Sequence, residues 1–174
     1  MCATAALMLG ERLRERLEEL IAAYVARMRN DSRIPGAREL PQALLEDHAL
    51  SFLSDLFQSI VVVERSGEIK DLEETLLLKD GSHIQTLIAD LHGRQRYRMG
   101  WTDEALHREY EILDEEVAAF VQRVGSNGSV DPAVNWVLDY LKQLLKRAHE
   151  SSFAAFGAAA REPERHASTE KSLR

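Results

Sequence analysis

Apolar residues recur at steps of three and four along almost the whole chain, and only 9 Gly and 4 Pro interrupt them. That period lays one apolar stripe along each helix, so the chain is expected to be all-α, every stripe buried against another helix. A first helix is predicted from Ala5 to Arg29, with Leu13, Leu17, Leu20, Ile21, Tyr24 and Met28 on its stripe and the polar loop Asn30 to Gly36 after it. A second starts near Pro41, where proline suits the first turn, and carries Leu44, Leu45, Phe52, Leu53, Leu56, Phe57, Ile60 and Val61. After Ser66-Gly67, Ile69 to Leu78 reads as a short helix before Lys79-Asp80-Gly81. Ser82 can then cap a third helix, His83 to Met99, with Ile84, Leu87, Ile88 and Leu91 facing inward and Gly100 as its stop.

Thr102 is a good N-cap for the next helix, because Asp103 and Glu104 fill a positive first turn and Leu106, Tyr110, Leu113, Val117, Phe120, Val121 and Val124 form a stripe. Gly125 to Ser129 is a loop, and Asp131-Pro132 opens a last helix bearing Val134, Val137, Leu138, Leu141, Leu144, Leu145, Ala148 and Phe156. From Arg161 the period vanishes, so 161–174 is expected to be a polar disordered tail. Long helices with short connections pack as antiparallel neighbours, which makes 1–160 one bundle of four to five helices.

Composition narrows the function classes. At 174 residues a single core buries roughly 70% of the unfolded chain's surface and needs neither disulfide nor structural metal. One cysteine, Cys2, gives no disulfide framework and fits a reducing compartment. No fully apolar run, Ile60 to Val63 included, approaches the ~20 residues that a bilayer requires, so no membrane insertion is expected. Met1 to Leu9 is apolar but lacks a basic leader and runs into Glu11-Arg12, which reads as a helix start, so cytoplasmic residence is expected. With 22 Lys+Arg against 29 Asp+Glu the formal charge is −7, which argues against nucleic acid as a partner.

Enzymatic and metal motifs are scarce. No Gly-rich phosphate loop, nucleophile elbow or zinc-protease helix occurs, and no nucleophile, base and orienting group can be assembled, so the expectation is a non-enzyme. Glu104 and His107 supply one of the two Glu-x-x-His pairs of a diiron bundle, and at the start of a helix both are ordinarily solvated; no metal site is expected. Arg94-Gln95-Arg96-Tyr97-Arg98 is a basic cluster with an aromatic inside it. It ends a helix, where positive charge offsets the dipole, and the acidic run Asp103 to Glu116 offers it partners within the chain.

The polar residues bordering the apolar stripes are more informative. His92 lies four residues after Ile88, Arg96 lies one turn further, and Glu109 stands between Leu106 and Leu113, next to Tyr110, beyond the Gly100-Trp101 turn. Two readings fit this spacing. One is a buried network in which Glu109 holds Arg96 or His92 and fixes helix register; the other is a ligand-binding or proton-sensing pocket made of His92, Arg96, Trp101, Glu109 and Tyr110, tolerant of anions where Arg96 is not neutralised.

The string His92-Gly93-Arg94-Gln95-Arg96, then Gly100, Leu106, Glu109-Tyr110 and Leu113 resembles the pattern H-G-x-Q-R-x-x-x-G followed by L-x-x-E-Y-x-x-L. That pattern belongs to helical N-terminal sensory domains of bacterial histidine kinases and of RsbRD-type co-antagonists of RsbT. A looser likeness takes in Leu40, Pro41, Leu44 and the segment Leu45 to Leu56. The resemblance implies a cytoplasmic signalling input in a stress response, upstream of a kinase or STAS output, with His92, Arg96, Gly100, Glu109 and Tyr110 at the matching positions. It also implies a signalling partner and a homodimer, for which the first or last helix is the expected surface because Trp136, Phe153 and Ala154 lie outside a single stripe. No output module follows Phe156, as expected of a free-standing version or of a piece of a longer protein. Related sensors include globin-like domains without haem, so a globin-like arrangement stands as the alternative fold. The alternative function is a gas sensor that binds haem or another tetrapyrrole, with His92 or in second place His83 as axial ligand.

Overall fold

A computed structural model describes residues 4–46, 49–66, 72–125 and 131–172, the side chains of 66–82 and 162–172 excepted. Within these the chain is all-α, with no strand. The helices are α1 (Ala5–Glu15), α2 (Leu17–Asn30), a 3-10 turn (Pro35–Arg38), α3 (Gln42–Glu46), α4 (Ala49–Ser66), α5 (Leu72–Arg98), α6 (Asp103–Gly125) and α7 (Pro132–Ser172). Cys2 and residues 126–129 of the expected loop lie outside the described residues, while Gly125, expected to open that loop, ends α6.

The predicted first helix is two. The backbone leaves the helical region at Arg16 (φ −112°, ψ 17°), whose carbonyl accepts from Glu19 N at 3.1 Å while its guanidinium folds onto the Glu19 carboxylate at 2.7 Å. Glu18 and Glu19 occupy the positive end of the new helix, so a helix start is written inside the apolar run. The stripe continues across the bend, with Leu9, Leu13, Leu20, Tyr24 and Met28 almost fully buried.

The expected break near Gly81 and the Ser82 cap are absent, because α5 runs unbroken from Leu72 to Arg98; residues 69–71 of the predicted short helix lie outside the described residues. A lone glycine costs a helix only about 1 kcal/mol relative to alanine, and no proline accompanies this one. The inward face of α5 also differs from the predicted one. Ile84, Leu87 and Leu91 are about half exposed, whereas Ala89, Gly93 and Arg96 are buried and Ile88 and His92 partly so. The reason is the close approach of α5 to α7. A Cβ built on Gly93 would sit 2.0 Å from the Ser152 carbonyl oxygen, so the contact face must be made of small residues. Tyr97 then meets Phe156 edge-on, with ring centres 5.5 Å apart.

The turn between α5 and α6 follows expectation. Gly100 takes φ +76° and donates to the Tyr97 carbonyl (2.9 Å), Trp101 N donates to the Arg96 carbonyl (3.1 Å), and Thr102 Oγ1 accepts from Ala105 N at 3.2 Å. Asp131 accepts from Ala133 N in the same manner at the head of α7. That helix continues to Ser172, so the backbone is helical through most of the segment expected to be a disordered tail. Ala158, Ala159, Ala160 and Arg161 are strong helix formers, and extending an existing helix needs no new nucleus. Pro163 takes one donor from the ladder without ending it.

Around this frame α1 packs along α4, α2 along α6, and both α5 and α6 against α7. No helix among the described residues is long and apolar enough to cross a membrane.

Candidate functional site

The polar residues singled out in the hairpin converge on one buried carboxylate. Glu109 projects from α6 and is 1% exposed; Arg96, from α5, is fully buried. Arg96 Nε lies 3.2 and 3.0 Å from the two Glu109 oxygens, and Nη2 donates to Oε1 at 2.7 Å. His92 sits one turn earlier on the same side of α5, with Nε2 3.1 Å from Glu109 Oε2. Its side chain is 14% exposed, so it reaches solvent where Arg96 and Glu109 do not.

Arg96 makes further contacts. Nη1 donates to the Leu44 carbonyl at 2.8 Å and Nη2 to the Leu45 carbonyl at 3.2 Å, so the guanidinium grips the short helix α3 as well as α6. Trp101 lies beneath it, 4.6 Å from the guanidinium carbon to the ring centre, where the cation meets the electron-rich face. With its donors so engaged, the guanidinium is matched by Glu109, and an incoming anion would have to displace that carboxylate.

Spacing did not reveal Tyr24. Its hydroxyl donates to Glu109 Oε1 at 2.7 Å from α2, so three side chains on two further helices share one carboxylate. A tyrosine within an otherwise aliphatic stripe was the available signal, since a buried phenol needs a hydrogen-bond partner. Burial alone pushes the Glu109 carboxyl up. The charges of His92 and Arg96 and their hydrogen bonds outweigh it and hold Glu109 well below the usual carboxylate range. Tyr24 is raised well above the usual phenol value, by burial and then by the Glu109 charge, and stays a neutral donor.

Tyr110 leads away from the cluster toward α7. His92 meets its ring edge-on at 5.9 Å, its hydroxyl donates to the Ala148 carbonyl at 3.4 Å, and the His149 ring stacks on it at 4.7 Å. His149 was not singled out from sequence. The five expected site residues are thus brought together, around Glu109.

A small cavity adjoins the cluster, lined by Tyr24, Ala49, Phe52, Ile88, His92 and Glu109 among others, with a volume of about 30 Å³. That is room for one or two waters. A haem does not fit here, because His92 Nε2 is directed at Glu109 and the space beside the ring is far smaller than a macrocycle. His83, the second candidate ligand, is an exposed residue of α5.

The basic cluster and the acidic helix pair less simply than expected. Arg96 meets Glu109 across the hairpin, but much of the acidic run is met from elsewhere. Arg27 pairs with Glu115 and Glu116, and Arg108 pairs with Asp31 (2.6 Å) and Glu111 (2.8 Å). His107 lies 3.4 Å from Glu111 and 3.3 Å from His149.

No family model, curated protein or solved structure matches the chain.

Proposed function

We propose that the chain is a non-enzymatic bacterial signalling input, of the kind the RsbRD-type resemblance implies, in which a small ligand or a protein partner acts on the Glu109 cluster and the change passes to α7. One observation carries this reading. A single buried carboxylate joins α2, α5 and α6 directly and α3 through Arg96, and the residue beside it, Tyr110, is bonded to α7. Breaking the Arg96–Glu109 pair strands a buried charge, and losing the Tyr24 bond leaves a buried phenol without its acceptor, so the cluster favours a few discrete arrangements over gradual deformation.

The cavity's size favours an input that is very small or that docks at the surface, where His92 reaches solvent, over a bulky molecule enclosed in the core. Cytoplasmic residence and a homodimer belong to the same reading. Phe153, one of the residues that suggested a dimer surface on α7, packs within the chain against His107 and His149, while Trp136 stacks on Tyr140 at the surface.

A thermal-shift screen of small carboxylic acids, gases and tetrapyrroles tests the ligand arm. Compounds that raise the midpoint of the wild type but not of the His92→Ala variant support it. If none does, and no interacting protein retained by the wild type is lost by that variant, the reading fails.

A further inference from the structure

Beyond Tyr110, two histidines from different helices face each other. His107 Nδ1, on α6, lies 3.3 Å from His149 Nε2, on α7. The other nitrogen of His107, Nε2, is 3.4 Å from Glu111 Oε1. That carboxylate is itself fixed by Arg108 at 2.8 Å and by Arg33 at 3.4 Å. A carboxylate at ion-pair distance on the Nε2 side favours the proton there, while Nδ1 faces His149. It is the same support that metal-ligating histidines receive from a neighbouring carboxylate.

The second ring is held equally firmly. Tyr110 stacks on His149 at 4.7 Å, and Phe153 stands edge-on to His149 at 4.9 Å and to His107 at 6.0 Å. Burial first, then the neighbouring His107, lowers the His149 pKa. The His107 side chain is 56% exposed, which gives an ion a way in.

The spacing is the decisive quantity. Two nitrogens bound to one tetrahedral ion at roughly 2.0–2.1 Å stand about 3.3–3.4 Å apart. We propose that His107 and His149 form a surface site for a divalent transition-metal cation, which would bridge α6 and α7. Among the described residues no group of three or more His, Cys, Asp or Glu side chains is placed to hold a metal, so solvent completes the coordination. Such a site selects by imidazole affinity, favouring Cu(II), Ni(II) and Zn(II) over the oxygen-seeking Mg(II) and Ca(II). It does not depend on the signalling reading above, since neither ligand contacts Glu109 and Tyr110, the residue shared with that cluster, serves here only as packing against His149.

Calorimetric titration of the untagged, chelator-treated chain with ZnCl₂, NiCl₂ and MgCl₂ tests the proposal. The wild type should bind zinc and nickel one to one, with affinity falling as acid protonates the ligands, and should ignore magnesium. His107→Ala and His107→Gln change an exposed ring and leave the fold in place by circular dichroism; each should weaken zinc binding by at least about 10-fold. Zinc should also shift the imidazole NMR signals of both histidines. Absence of zinc and nickel binding at millimolar metal, or unchanged affinity in both His107 variants, overturns the site and leaves the pair as a neutral hydrogen bond.

Discussion

Replacing Glu109 by alanine should be among the most damaging single changes in the molecule. The variant loses the Arg96 contacts at 2.7 and 3.0 Å, the Tyr24 bond at 2.7 Å and the His92 contact at 3.1 Å. Arg96 keeps the Leu44 and Leu45 carbonyls, but these are neutral acceptors and the guanidinium is fully buried. Stranding one partner of a buried ion pair costs about 3–5 kcal/mol. For a domain of this size each kcal/mol lowers the melting midpoint by roughly 2–4 °C, so a fall of about 6–20 °C is expected. Urea unfolding followed by circular dichroism at pH 7 measures it, with the slope unchanged if only stability has moved. The double variant Arg96→Met/Glu109→Leu removes both charges and fills the space with apolar atoms, and it should be more stable than Glu109→Ala. A Glu109→Ala cost below about 1 kcal/mol, the value of an exposed pair, would refute the reasoning.

Gly93→Ala forces a methyl to 2.0 Å from the Ser152 carbonyl oxygen and should destabilise by about 3 kcal/mol or more, whereas Gly36→Ala, with nothing within 4 Å, should be nearly neutral in the same unfolding assay. Gly100→Ala must adopt φ +76° and should cost about 1–2 kcal/mol without altering the cluster's NMR signals. Glu109 and Asp31 both have folded pKa values below their ordinary 4.5 and 3.8, Asp31 at about 2. Burial opposes this in each case, and the bonds from His92 and Arg96, or from Arg108 and Arg33, prevail. Their stabilisation is therefore complete above the unfolded values and is lost as pH falls below them, so melting midpoints should drop from about pH 4.5 downward, less steeply in Glu109→Gln.

The elements that were legible in the sequence are those whose signals are local. Thr102, the two acids after it and the unbroken stripe of α6 agree with one another, and Gly100 is the one residue of that turn suited to φ +76°. The inward face of α5 was not legible, because hydrophobicity favours Ile84, Leu87 and Leu91 while the packing there is limited by backbone approach at Gly93, which depends on a residue 59 positions later in sequence. Arg16 was hidden for a related reason: a bend that preserves the stripe leaves the apolar period intact. In the site, spacing places His92, Arg96 and Glu109 on facing sides of a two-helix turn, but Tyr24 and His149 join only through tertiary packing of α2 and α7. The resemblance to RsbRD-type domains touches the same string of residues, and the buried network gives His92, Arg96 and Glu109 a structural role of their own.

Hydrogen exchange along α7 tests the relay most directly. Amides of the wild type and of Glu109→Gln are compared by mass spectrometry under conditions in which both are fully folded. Because Tyr110 ties the cluster to the Ala148 carbonyl and the His149 ring, loss of the carboxylate charge should speed exchange in α7 between Ala148 and Phe156 as well as around Arg96. Faster exchange confined to α5 and α6, with α7 protected as in the wild type, would contradict the claim that this cluster communicates with the last helix.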